Sequence, residues 1–290
     1  MPTNTSQITN PPQWISDLIT NFLQNSSENF LNPLTQERIW GTPLVGFCRG
    51  DDPLFQEFQD HLGDDYLLPL DIMLQTMPDV KIRSSDLTVI SWILPVTNQT
   101  KADHRLERQY PTEAWARTRI SGEGVNQQIR QYIVQSLQQA GYPSESPLHS
   151  PAYTVKFKQG YPTHSLWSER HAAYACGLGT FGLCDGLITP IGKAMRCGSV
   201  ITTLPVPASG REYGTRHEYC PFLTDQSCGI CIERCPAGAI SQSGHDKVKC
   251  AAYFKTITEP YLLQTYGIEG NACGLCQTGV PCESGIPKRR

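Results

Sequence analysis

Eight of the twelve cysteines fall between Cys220 and Cys282, and no other feature of the 290 residues constrains the fold as strongly. They read as two sets of four. The first is Cys220, Cys228, Cys231 and Cys235, centred on Cys228-Gly-Ile-Cys231-Ile-Glu-Arg-Cys235-Pro236. The second is Cys250, Cys273, Cys276 and Cys282, centred on Cys273-Gly-Leu-Cys276. Thiolates are soft ligands, and a C-x2-C turn points two sulfurs at one metal centre. The C-x2-C-x3-C-P ending matches the last three cysteines of a bacterial [4Fe–4S] run. The first cysteine of such a run would fall at Asp225, so Cys220 must reach in over a longer loop.

Two-cluster ferredoxins cross their ligands, the fourth cysteine of each motif serving the other cluster. On that rule Cys220, Cys228, Cys231 and Cys282 hold one [4Fe–4S] cluster, and Cys235, Cys250, Cys273 and Cys276 hold the second. Two alternatives stay open. Structural zinc is compatible with four thiolates, although zinc ribbons pair C-x2-C knuckles and this spacing breaks that pattern. Disulfides suit secreted chains better than this one.

The length allows one large or two ordinary domains. Hydrophobic content of 39% and charged content of 18% describe a globular chain. A net charge of −3 gives no general case for nucleic acid or an anionic membrane, so neither is expected as a partner. The one basic run, Lys288-Arg289-Arg290, reads as a solvated tail. The polar opening residues lack a leader pattern and no stretch is apolar enough to span a membrane, which makes cytoplasm the expected location.

In chain order, residues 1–10 read as disordered. Apolar Ile15, Leu18, Ile19, Phe22 and Leu23 recur at helical spacing after Pro11. Residues 43–48 and 87–95 read as buried strands, with polar helix between them. Residues 97–124 read as irregular, and Asn126 to Ala140 as helix. A strand over 153–157, a helix over 168–175 and strands over 186–189 and 199–205 complete the first unit. The change to cysteine-rich sequence divides the chain into residues 1–212 and 213–290, a mixed α/β (α+β) domain followed by a compact ferredoxin-like one.

Gly177-Leu178-Gly179-Thr180-Phe181-Gly182 fits G-x-G-x-x-G literally. The context fails, because helix precedes it, strand follows, and no acid lies between Asp185 and Arg211 to hold a ribose. The loop is then either a tight turn using positive φ or a close backbone approach to a large flat ligand. Cys48, Cys176, Cys184 and Cys197 read as small buried side chains, and the histidines make no H-x3-H or H-E-x-x-H pair.

The segment Glu169-Arg-His-Ala-Ala-Tyr-Ala-Cys-Gly-Leu-Gly-Thr-Phe-Gly182, then Gly186-Leu-Ile-Thr-Pro190 and Cys197-Gly-Ser-Val-Ile-Thr-Thr-Leu-Pro205, resembles the epoxyqueuosine reductase family, which is related to the reductive dehalogenases. The lone Cys250 and the closing motif of Cys273, Cys276 and Cys282 match it too, and the strand Asp86-Leu-Thr-Val-Ile-Ser91 is similar. The resemblance covers residues from about 40 to 282. It implies a nitroreductase-like domain carrying base-off cobalamin, beside two [4Fe–4S] clusters that pass it electrons from an external low-potential donor. By position Gly177, Leu178, Gly179, Thr180, Phe181, Gly182, Cys197, Gly198 and Ser199 would line the cobalamin.

Four departures accompany the match. The family's Gly-Lys-Asn becomes Gly182-Leu183-Cys184, losing a lysine and gaining a thiol. The family's general-acid aspartate falls on Gly124, leaving Glu123 as the candidate catalytic acid. The glycine-loop tryptophan is Thr180. The chain stops soon after Cys282, short of the helical repeats many members append. The resulting expectation is a cobalamin- and iron–sulfur-dependent reductase of a small molecule, not of tRNA. The alternatives are an electron-transfer or cobalamin-reducing protein without substrate chemistry of its own, and a flavin-bound reductase.

Overall fold

The computed structural model describes residues 8–32, 34, 36–158 and 161–288. Its centre is the strand β2, Thr88–Pro95, buried along all but its last residue. Val, Ile, Trp and Leu interrupted by the single Ser91 make the apolar run that a strand covered on both faces requires. β1, Leu44–Arg49, pairs with β2 on one side, and β4, Met195–Thr202, on the other. The two-residue β3, Ser144–Glu145, completes the order β1-β2-β4-β3, and every pairing is antiparallel.

Side chains alternate between two layers, as strand geometry demands. Ile90, Trp92, Leu94 and Val200 face the helices α1, Pro11–Asn25, and α2, Glu113–Gln139. Val89, Ile93, Cys197 and Ile201 face the opposite layer, which contains Leu54–Leu62, Pro69–Thr76 and α3, Glu169–Ala175. Each large side chain so buried is worth about 1.5–3 kcal/mol. The fold is therefore mixed α/β, helices on both faces of an antiparallel sheet.

The long α2 replaces the irregular stretch expected over 97–124. Thr112 caps it, its hydroxyl accepting from Trp115 N at 3.3 Å. Ser121, Gly122 and Gly124 weaken helix propensity, yet Gly122 is there because Trp40 packs on it. A Cβ at Gly122 would lie 2.6 Å from the indole, whose Nε1 donates to Gly122 O at 3.1 Å. Tertiary packing overrides propensity here. Helix Asn98–Leu106 also lies within the stretch. Ile8 packs against the core and Asn10 caps α1, so residues 8–10 are not disordered; the rest of that expected tail, 1–7, lies outside the described residues.

After residue 206 the chain runs as loops and short helices, among them Pro221–Asp225, Ile230–Glu233, Lys247–Tyr253 and Glu259–Tyr266. This segment is sewn to the first. Arg234 donates to Arg105 O and Glu107 O, and Glu283 pairs with Arg105. Among the described residues no helix is long and apolar enough to cross a membrane.

Candidate metal centres and the buried charge network

All twelve cysteines are free thiols. Cys220, Cys228, Cys231 and Cys282 line one recess, with an empty volume of about 340 Å³, beside Leu183, Ile188 and Lys193. Cys220 reaches it from the residue preceding helix Pro221–Asp225, the longer loop its spacing requires. A second group forms around Cys273. Burial first, with neighbouring Cys250 and Cys235 acting in the same sense, pushes that thiol up to about 12. Cys276 adjoins Cys273. Four thiols thus share one recess, and Cys235, Cys250 and Cys276 neighbour Cys273. Among the described residues no three His, Cys, Asp or Glu side chains close tightly round one point as a single ion requires. The donor chemistry suits a larger, sulfur-bridged group, since four-iron clusters take four thiolates each.

Between the two sets stands Cys184. It is pulled well below the ordinary thiol value, chiefly by hydrogen bonds from the Cys231 and Cys276 thiols, with Lys193 assisting against burial. Lys193 Nζ lies 3.2 Å from Cys184 Sγ.

The glycine loop is closed on the chain itself. Gly177 has φ +80° and a Cβ there would lie 2.5 Å from Gly210 O. Gly179 is similarly blocked, 2.2 Å from Ile188 O. Leu178 is buried. Thr180 Oγ1 accepts from Tyr219 N at 2.9 Å, and Phe181 packs against His171, Tyr174 and the Arg216 guanidinium. Gly182 faces the cysteine recess instead. These glycines serve a tight turn.

Cys197, Gly198 and Ser199 are equally engaged. Cys197 O accepts from Asn126 Nδ2 at 2.9 Å and Arg130 Nη2 at 3.4 Å. A Cβ at Gly198 would lie 2.4 Å from the Trp92 indole. The Ser199 hydroxyl accepts from Trp167 Nε1 at 3.0 Å and donates to Glu169.

Glu123 sits mid-helix on α2, not on an irregular acid segment. Burial pushes its carboxyl up, but Arg196 at 2.9 Å, Arg130 at 3.0 Å and Arg119 outweigh that and hold it below the ordinary value. A carboxylate so held is a poor proton donor. Glu169 goes the other way, since burial raises it and Arg130 and Ser199 offset only part. Arg130, with 1% of its side chain exposed, joins the two, reaching Glu169 at 3.2 Å. Sequence reading missed Glu169, Arg130 and Lys193 as site residues. Arg130 had a signal, lying two helical turns from Glu123 on the same face.

No family model matches the chain. A curated epoxyqueuosine reductase of Bacillus anthracis is 34% identical over 127 residues, 41% of this chain and 30% of that protein. One of Bacillus cereus is 33% identical over the same share. The match therefore spans less than a third of these relatives' length. A solved epoxyqueuosine reductase from Streptococcus thermophilus covers 94% of this chain and 67% of its own at TM-score 0.52 and 13% identity, a likeness of fold. A further solved reductase, with an epoxyqueuosine-modified tRNA stem loop, covers 97% of this chain and 68% of its own at 17% identity and TM-score 0.49. The resemblance to the epoxyqueuosine reductases thus holds in curated sequences and in solved structures. The expectation against nucleic acid is corrected, because the curated relatives are epoxyqueuosine reductases and a reductase of that name is solved with an epoxyqueuosine-modified tRNA stem loop. The physical error was to read a summed charge of −3 as a statement about every patch of surface.

Proposed function

We propose that the chain is an iron–sulfur reductase of the epoxyqueuosine reductase type, in which Cys220, Cys228, Cys231 and Cys282 hold one [4Fe–4S] cluster and Cys235, Cys250, Cys273 and Cys276 the other. The observation that carries this reading is the gathering of the first four thiols, distant in sequence, into one recess. Bound clusters of this kind supply single electrons at potentials set by charge and hydrogen bonds around them. The chain's part is to present eight thiolates, exclude water with Leu183 and Ile188, and fix the approach of Cys282 through Lys193 N donating to Cys282 O at 2.8 Å. Proton supply falls to Glu169 before Glu123, since burial raises the Glu169 carboxyl while three arginines hold Glu123 below its ordinary value.

The cobalamin carried by the resemblance does not fit the residues named for it, which are filled by Gly210, Ile188, Trp92 and Asn126. The clusters alone carry the chemistry proposed here. We retain a first unit over 1–212 and a ferredoxin-like unit over 213–290, in the cytoplasm, with an external low-potential donor. The first substrate to assay is the one the neighbouring structure holds, epoxyqueuosine on a tRNA stem loop.

A second reading is an electron-transfer protein without substrate chemistry, favoured by Glu123 being held ionised. Anaerobic reconstitution with iron and sulfide, followed by assay of the stem loop, separates the two. About eight irons per chain and loss of the epoxide from the stem loop support the reductase. Eight irons with an untouched stem loop favour the carrier, and an iron-free chain defeats both.

A further inference from the structure

Lys193 is 3% exposed, and among the described residues no carboxylate pairs with it. A buried ammonium needs an anion. Its neighbours in order of influence are the sulfurs of Cys184, Cys282, Cys276 and Cys231. The backbone around it is built to hold it there. Lys193 N donates to Cys282 O at 2.8 Å and Ala194 N to Glu283 O at 3.2 Å. Gly192, at φ +96°, lets the chains meet, since a Cβ there would lie 2.2 Å from Glu283 O. Gly186 leaves room for the lysine stem, a Cβ there falling 2.7 Å from Lys193 Cδ.

We propose that Lys193 sets the reduction potential of the cluster held by Cys220, Cys228, Cys231 and Cys282, as its buried counter-charge and N–H donor. This rests on the two-cluster reading. Four thiolates around a four-iron core leave a net negative charge, and each added electron deepens it. A fixed cation in a dry pocket favours the reduced form, raising the potential. Lys193 is a positioning residue, acting on the electron's energy without touching substrate.

The test is an EPR-monitored redox titration of reconstituted wild type, Lys193→Met and Lys193→Arg, with iron counted in each. In Lys193→Met one of the two couples moves to lower potential and the other stays. The oxidised-to-reduced ratio of the moved couple rises about tenfold at the wild-type midpoint, 59 mV for one electron. Lys193→Arg keeps the charge and stays near wild type. Cys250→Ala, which retains only the Cys220 cluster, still shows the shift when combined with Lys193→Met. Full iron with both midpoints unmoved overturns the inference. So does a Lys193→Met chain that loads half its iron, which would make the lysine structural. A wild type that loads no iron instead defeats the cluster reading itself.

Discussion

Replacing Arg130 by Met tests the buried charge network directly. The guanidinium has 1% of its side chain exposed and spans Glu123 at 3.0 Å and Glu169 at 3.2 Å. Met keeps the volume of the stem and removes the charge. Glu123 retains Arg196, while among the described residues Glu169 keeps the Ser199 hydroxyl as its side-chain partner. Removing one partner of a buried pair costs about 3–5 kcal/mol, mostly the uncompensated charge left behind. At roughly 2–4 °C for each kcal/mol in a domain of this order of size, the melt should fall by about 6–20 °C. Thermal melts by circular dichroism on wild type, Arg130→Met, Glu169→Gln and the double variant form a cycle. Glu169→Gln should restore part of the loss in the Arg130→Met background, because it removes the stranded charge. A single variant within about 2 °C of wild type refutes the reasoning, as does a double variant whose losses simply add.

Two other outcomes follow from local geometry. Gly198→Ala drives a methyl into the Trp92 ring and should cost about 1–3 kcal/mol in urea unfolding, with an unchanged stability showing that the ring can yield. His171 donates from Nδ1 to Ser168 Oγ at 2.8 Å and accepts from Arg216 at 3.1 Å, and burial first, then Arg216, lowers its pKa to about 3. The unfolded chain protonates this histidine near pH 6.5 while the folded chain does not. Stability is therefore full above about pH 6.5 and declines as pH falls toward 3, by roughly 1.4 kcal/mol per unit. His171→Gln should flatten the decline between pH 6.5 and 5, and an identical pH slope in the variant would count against it.

The cysteine spacing carried the most information. It named two sets of four, and one of them lines a single recess. The β2 strand was legible too, because eight residues of apolar, β-branched chain have few other uses. The first half of α2 was not, since Gly122 answers to Trp40, eighty-two positions away. The same limit hid Lys193. Nothing local distinguishes it from a surface lysine, and its role depends on backbone bonds to Cys282 and Glu283. Glu123 was expected as the catalytic acid, but Arg196 comes from β4 and, with Arg130, holds its carboxyl below the ordinary value. The glycine loop showed the converse, a motif whose residues answer to neighbouring backbone and not to a ligand.

The zipper between Lys193–Ala194 and Cys282–Glu283 also orders events during synthesis. Cys220, Cys228 and Cys231 leave the ribosome well before Cys282, and until Cys282 arrives their recess lacks a wall as well as a sulfur. On the proposed two-cluster reading, iron captured early would sit in an open, three-thiolate pocket exposed to water and oxygen. Closure of the long loop and acquisition of the fourth ligand are one step, so metal binding and docking of the final segment reinforce each other. On that same proposed reading, the nascent chain is best left empty until Cys282 is in place.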